Sequence, residues 1–321
     1  MDKVQPVRKA IKWLLFGSAN FSQFIPIGLR DPQSEVSVWL HGMGVPHDVT
    51  DSSVVAAAQP FTVGIGLEGG WDLDTFRRTR PSLKLCQRGG EKRLLGEIRL
   101  RAIEAIPIGD RQLVLFGARG CRNYCVPRAW LGMRYLYYAY RRWRSRKSLN
   151  APAIRMAARD VHSLLVFYIC PRPVVLVSVV DGSLANIFPM DLIGPIGARH
   201  FSLALRSTST AVPLIEGSRR IALSSVPVEQ TPVAYQLGKN HKEACVDRDD
   251  LPFGTTTSPR FGLPVPQFSL RVREMQIEAV RTIGSYKLFL ACTIGDQWRA
   301  DGLQFFLVHG FYQTWKHRVP S

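Results

Sequence analysis

The chain has 321 residues, 46% apolar and 21% charged, so it can bury a core, and its composition excludes disordered and collagen-like sequence. Lysine and arginine total 42 against 25 aspartates and glutamates, a net charge of +17 that favours an anionic ligand or surface. Six scattered cysteines with no C-x-x-C pair exclude a disulfide-stapled secreted module and fit a reducing cytoplasm.

The length suggests two domains. Lys3, Arg8, Lys9 and Lys12 precede Trp13-Leu14-Leu15-Phe16, an apolar run too short for a signal sequence, and no run of about 20 apolar residues offers a spanning helix. Stretches rich in Val, Ile, Leu and Phe predict strands at 36–40, 61–67, 94–106 and 112–116, then at 174–180, 201–205, 221–226, 268–280 and 288–293. Helices are predicted at 72–79, 210–219 with Thr210 as cap, and 228–237. Residues 128–147 interleave Arg134, Arg141, Arg142, Arg144, Arg146 and Lys147 with Tyr135, Tyr137, Tyr138, Tyr140 and Trp143. This segment reads as a strand with inward aromatics running into a solvated basic linker, in preference to a nucleic-acid stacking surface. Residues 144–158, polar and broken by Pro152, read as an inter-domain joint.

The chain also repeats itself. Residues 36–67 lie without a gap over residues 174–205, at an offset of 138 that also relates the turn glycines Gly44 and Gly182. Further on, Ile103-Glu-Ala-Ile106 answers Ile277-Glu-Ala-Val280, Gly109 answers Gly284 at an offset of 175, and Tyr140/Trp143 answer Tyr312/Trp315. The larger offset means extra residues in the second half, placed between Pro227 and Pro266. The halves are read as a duplication: a 1–30 extension, a divergent half at 31–147, a linker at 148–160 and a second half at 161–321.

The second half resembles the flavin reductase-like family of the FMN-binding split-barrel superfamily. The residues that carry this are Arg172-Pro-Val-Val-Leu-Val-Ser-Val-Val-Asp-Gly182, Asn186-Ile-Phe-Pro-Met-Asp191, Leu205-Arg-Ser-Thr-Ser-Thr210, Ile283-Gly-Ser-Tyr-Lys-Leu-Phe289 and Leu303-Gln-Phe-Phe-Leu-Val-His-Gly-Phe-Tyr312. Residues 36–143 resemble the same fold more loosely. The resemblance implies a mainly β chain of two tandem Greek-key split barrels, paired within the chain about a pseudo-two-fold, with flavin between them and the two sites unequal. It implies FMN, with FAD an alternative, and NAD(P)H as reductant. The partners it implies are flavin and nicotinamide nucleotides and a monooxygenase component, without membrane or nucleic acid, in a monomer or homodimer.

Arg206, Ser207, Thr208, Ser209 and Thr210 offer hydroxyls, turn N–H groups and a cation at a helix start, which suits a phosphate; the same residues also suit a plain helix cap. Asn186 to Asp191 match the family's flavin-contacting loop, although Pro189 and Asp191 stand where hydroxyls are usual. Asp48, Thr50, Ser52 and Ser53 are the counterparts in the first half. The family's Gly-Asp-His-Thr element reads Gly109-Asp-Arg-Gln and Gly284-Ser-Tyr-Lys here, so its histidine is missing; Arg111 is a candidate grip and Tyr286 a candidate stacking ring. His309 is a candidate flavin neighbour. No catalytic side chain and no metal are expected, because a flavin supplies its own chemistry and the seven histidines form no ligand pattern. Gly64-Ile-Gly-Leu-Glu-Gly69 satisfies G-x-G-x-x-G but lacks a following helix in a βαβ unit, so it is set aside as a dinucleotide fingerprint.

Overall fold

A computed structural model describes residues 23–89, 92–145, 156–243, 245–247 and 249–317. The basic amino-terminal run, with Lys3 to Phe16, and most of the 144–158 joint lie outside the described residues.

Strand β1 (Phe24–Leu29) precedes a first set of seven: β2 (Val36–His41), β3 (His47–Asp48), β4 (Ser53–Ala58), β5 (Phe61–Glu68), β6 (Ser82–Gln87), β7 (Leu94–Ile108) and β8 (Arg111–Asn123). Helix α1 (Leu73–Arg78) lies between β5 and β6, opened by Asp72, whose carboxylate accepts from the Asp74 N–H. Helices α2 (Arg128–Ser145) and α3 (Ala158–Phe167) follow. The second half runs through β9 (Arg172–Pro173), β10 (Val175–Asp181), β11 (Leu184–Met190), β12 (Ile193–Pro195), β13 (His200–Arg206), α4 (Ala211–Ser218) and β14 (Arg220–Ser225). After α5 (Thr231–Gln236) come β15 (Thr255–Thr257), β16 (Pro264–Pro266), β17 (Arg271–Ile283), β18 (Tyr286–Trp298), β19 (Gln304–His309) and α6 (Gly310–Lys316).

The two large sheets have one topology. The first is ordered β3-β2-β6-β7-β8-β5-β4 and the second β11-β10-β14-β17-β18-β13-β12. Numbered by their own chain order, both read 2-1-5-6-7-4-3, so the chain is two tandem Greek-key split barrels. The offset of 138 continues past the matched segment through α1/α4 and β6/β14, and rises to 175 between β14 and β17. The extra residues therefore sit where the first half has only the short β6–β7 turn. The tips of the long hairpins, Gly109 and Gly284, adopt φ of +58° and +56°, the left-handed conformation that a glycine takes without strain.

Alternation along the strands explains the near-continuous apolar runs. On β8, Val114 and Phe116 face the first barrel's interior while Leu113 and Leu115 face outward. On β18, Phe289 and Ala291 face the second interior while Leu288 and Leu290 face outward. The outward sets meet in a third core of Ala56, Ala57, Ala58, Ile106, Ile108, Ile196, Ala204 and Tyr286. Small residues allow this close seam. A Cβ on Gly66 would lie 1.9 Å from the Ile196 carbonyl oxygen, and one on Gly284 would lie 2.4 Å from that of Gln59. Within the glycine pattern at 64–69, Gly66 thus serves contact between the barrels, while Gly64 and Gly69 lie against Leu113 and Asp110 of the first half.

Three elements differ from the sequence reading. Residues 128–145 are helix α2, not a strand: Leu131, Arg134, Tyr135, Tyr138 and Arg142 recur at helical spacing on its less exposed side, with Arg134 and Tyr138 buried. The Asn186 to Asp191 segment is mostly strand β11, paired along its length with β10, rather than a loop. Helix α3 packs its Val161, Leu165, Val166 and Phe167 into the first barrel's core, although it follows the joint. Strand β1 pairs with β19, which pairs in turn with β9, so residues near both ends share one small sheet.

Candidate functional site

A cavity of about 380 Å³ opens beside the second barrel, within the size range of small-molecule sites. Its wall comes from the end of β11 and the start of the following turn (Pro189, Met190, Asp191, Leu192), from β13 and its turn (Ala204, Leu205, Arg206, Thr208, Ser209) and from Tyr286 at the start of β18. Gly238, His241 and Lys242 complete it from a 3-10 segment, Leu237–Lys242, in the second half's extra residues. A second cavity of about 170 Å³ shares Pro189, Met190, Asp191 and Gly238 and extends past Tyr235, Phe305 and Leu307. All these lining residues belong to the second half. The resemblance implied a site walled by both barrels, but the first contributes only backing across the seam.

The Arg206 to Thr210 turn splits in role. Arg206, Ser207 and Thr208 are exposed, and Arg206 and Thr208 line the cavity. Ser209 is buried; its hydroxyl donates to the His241 carbonyl and accepts from the Ala211 N–H. Thr210 precedes α4 but caps nothing with its side chain, which donates to the Glu243 carbonyl at 2.6 Å. The turn therefore holds the 3-10 strap on one side and presents a guanidinium and a hydroxyl on the other.

Asp191 sits at the cavity's inner end, where burial raises its pKa, and the Tyr168 hydroxyl donates to it at 2.8 Å, partly offsetting that rise. Burial likewise lifts the Tyr168 phenol well above its ordinary range, and the Asp191 charge adds to this. His241 Nε2 lies 2.8 Å from the Pro189 carbonyl, which can only accept, so the ring proton is on Nε2. Burial lowers the pKa of this imidazole. The cavity's lining thus combines two cations and a hydroxyl, an aromatic ring and apolar side chains, and a half-buried carboxyl.

Other expected site residues are placed elsewhere. Asn186 is fully buried behind the strap, donating to the Asn240 and Glu243 carbonyls at 3.0 and 2.8 Å, while Asn240 donates back to Ile187. Its role there is to clamp. His309 is buried away from both cavities: its Nδ1 accepts from the Phe311 N–H as the cap of α6, and burial drives its pKa well down. The apolar strand Gln304–His309 turns this histidine inward. His241 and Lys242 were missed by sequence reading, and the one available signal was the polar Gly238-Lys-Asn-His-Lys242 run inside the extra segment.

The first half's counterpart is built differently. Asp48 accepts from the Thr50 N–H and hydroxyl and its other oxygen lies 3.5 Å from the Arg88 guanidinium, while the Thr50 hydroxyl accepts from Val38 N–H, so both side chains are engaged by the first half itself. Ser52 lies in a 3-10 turn, Thr50–Ser52. Ser53, which corresponds to Asp191, takes the Arg172 guanidinium on its carbonyl at 2.6 Å and its hydroxyl at 3.2 Å. Where the second half has Arg206 to Thr210, the first has Glu68, Gly69, Gly70, Trp71 and Asp72, and Glu68 faces Arg111 across 4.0 Å. A carboxylate replaces the cation, and no hydroxyl pair follows it.

A further cavity of about 400 Å³ lies on the first half, bordered by Phe76, Arg77, Arg101 and Arg119, but it has no buried carboxyl or strap of its own among these residues. Taken with its strand order, the chain is a tandem split-barrel protein. It resembles solved structures of flavin-related proteins. An FMN-binding protein from Thermus thermophilus with bound p-hydroxybenzaldehyde matches at 21% identity and a TM-score of 0.38, covering 42% of this chain and 81% of its own. The NADH:FAD oxidoreductase of Streptomyces globisporus matches at 16% identity and 0.41, covering 47% and 89%. Nitrilotriacetate monooxygenase component B from Mycobacterium thermoresistibile matches at 14% and 0.41, covering 47% and 83%. No protein-family model and no curated protein matches the sequence.

Proposed function

We propose that the chain is a flavin-binding reductase that holds FMN in the second-half cavity and passes hydride from NAD(P)H to it, in the cytoplasm. The observation that supports this most is the lining of that cavity, which brings Arg206, Lys242 and Thr208 together with Tyr286, Met190, Leu192 and Ala204 around one space. Two cations and a hydroxyl suit a phosphate, and the wall suits an isoalloxazine face. A bound flavin supplies the hydride-accepting chemistry. The protein's part is to bind and to orient. Arg206 and Lys242 hold the phosphate, Ser209 and Thr210 keep the strap closed over its turn, and Asp191 offers a polar end for ring or ribityl groups. Tyr168 fixes the direction of that carboxyl. The duplicated halves divide labour, with the first barrel serving as support.

The test is an FMN titration followed by flavin fluorescence, with NADH and NADPH oxidation assayed on the same preparation. Tight binding is expected in the native chain, and Arg206→Ala combined with Thr208→Ala weakens it by roughly 10- to 100-fold, as lost charge-assisted hydrogen bonds do. No FMN uptake by the native chain removes this reading. Uptake without nicotinamide oxidation leaves a flavin carrier instead of a reductase. A basic nucleic-acid binder is the weaker alternative, because Arg134 and Tyr138 of the basic aromatic segment point into the core.

A further inference from the structure

On the far side of the second sheet from its apolar interior, three neighbouring strands bring together an imidazole, a carboxylate and a thiol. His200 on β13 is directly opposite Cys292 on β18 in the strand register, and Cys292 is opposite Gln276 on β17. The β17–β18 register then slips between Ile277 and Ala279, leaving Glu278 as the extra residue of a β-bulge. A bulge re-aims a side chain. Here it brings Glu278 Oε2 to 3.6 Å from His200 Nε2, and the donor atoms of His200, Glu278 and Cys292 all lie within 4.8 Å of one another. The first barrel's hairpin tip covers the ring: a Cβ on Gly109 would lie 3.1 Å from His200 Cε1.

We propose that His200, Glu278 and Cys292 bind a divalent transition-metal ion of the zinc class. Nitrogen, sulfur and oxygen donors together form a set that zinc accepts, and two donors on one tetrahedral zinc stand about 3.3 Å apart given bonds of about 2.0–2.1 Å. The observed 3.6 Å spacing needs little adjustment. Three protein ligands leave a fourth position for water. A simple His–Glu ion pair accounts for two of the residues and leaves the thiol opposite the imidazole only its long contact to the Thr293 carbonyl at 3.8 Å. Binding releases the Cys292 thiol proton to solvent. The site joins β13, β17 and β18 beneath the first barrel's hairpin, so the ion would brace the seam. Sequence spacing conceals it, since its members lie on three strands separated by the extra segment.

Cobalt(II) added to the full-length, flavin-free protein tests this. A thiolate-to-cobalt charge-transfer band and the visible bands of four-coordinate cobalt are expected, both displaced by zinc. Cys292→Ser should abolish the charge-transfer band, and His200→Gln or Glu278→Gln should weaken cobalt binding by roughly tenfold or more. Cys245→Ser, at an exposed thiol elsewhere, should leave the spectrum unchanged. Circular dichroism of each variant checks that it folds. Absence of any band in the native protein overturns the proposal, as does a band that survives Cys292→Ser or is indifferent to both His200 and Glu278.

Discussion

Asp191 illustrates how one buried group sets both affinity and pH response. Burial raises its pKa above the ordinary 3.8, so the folded state holds a proton that the unfolded chain releases. Its contribution to stability is full below the unfolded value and fades as pH climbs through the folded one. Asp191→Asn keeps an oxygen to accept from Tyr168 and removes the buried charge. It should raise stability at pH 8 by about 1 kcal/mol and flatten the decline with rising pH, checked by thermal melts from pH 5 to 8. His309 carries the opposite sign. Burial pulls its pKa well below the usual 6.5, so the unfolded chain takes up a proton that the native one refuses. Stability therefore falls as pH drops through about 6.5. His309→Asn retains a capping oxygen for Phe311 N–H, costs about 1–3 kcal/mol at neutral pH through lost packing, and should show a shallower loss toward pH 5.

Among elements, the strap at Leu237–Lys242 is the part that turns an ordinary barrel edge into a pocket. Asn186 and Asn240 clamp it from both sides, and both are buried. Asn186→Ala leaves the Asn240 and Glu243 carbonyls without that donor. The expected cost is about 2 kcal/mol in denaturant unfolding, with roughly tenfold weaker FMN binding as Lys242 loses its hold. A drop in stability with unchanged flavin affinity would show that the strap does not position the ligand.

The long strands and the positions of the short helices α1 and α4 were legible because apolar runs and turn glycines agree there, whereas β1, β4 and β6 were not, and Thr210, read as the cap of α4, bonds the strap instead. The strap's contribution was not legible, since its contact with β11 depends on side chains more than fifty positions apart. Helix α2 was misread because tyrosine, tryptophan and arginine favour a pleated surface about as readily as a helical one. Only the three- and four-residue recurrence of its covered positions distinguishes the two.

Across the whole molecule, stability depends on the seam. The triple alanine of β4 and Gly66 of β5 give the two barrels the closeness of one interior, so added bulk there acts on both at once. Gly66→Val drives a side chain toward the Ile196 carbonyl and should cost about 3 kcal/mol or abolish soluble expression. Gly132→Ala, on an open helical surface, should instead stabilise by about 0.5–1 kcal/mol. Guanidinium unfolding of both variants provides the comparison. If Gly66→Val unfolds like the native chain, the barrels do not depend on that contact.

The pairing of β1 with β19 also has a consequence during synthesis. A ribosome delivers Phe24–Leu29 before either barrel, yet the strand that completes their hydrogen bonds, Gln304–His309, follows both. The first barrel's core lacks Val308, Phe311 and Tyr312, and its leading ribbon keeps an open edge, until β19 and α6 have been made. That interval is when the nascent chain is most exposed to mispairing with a neighbour.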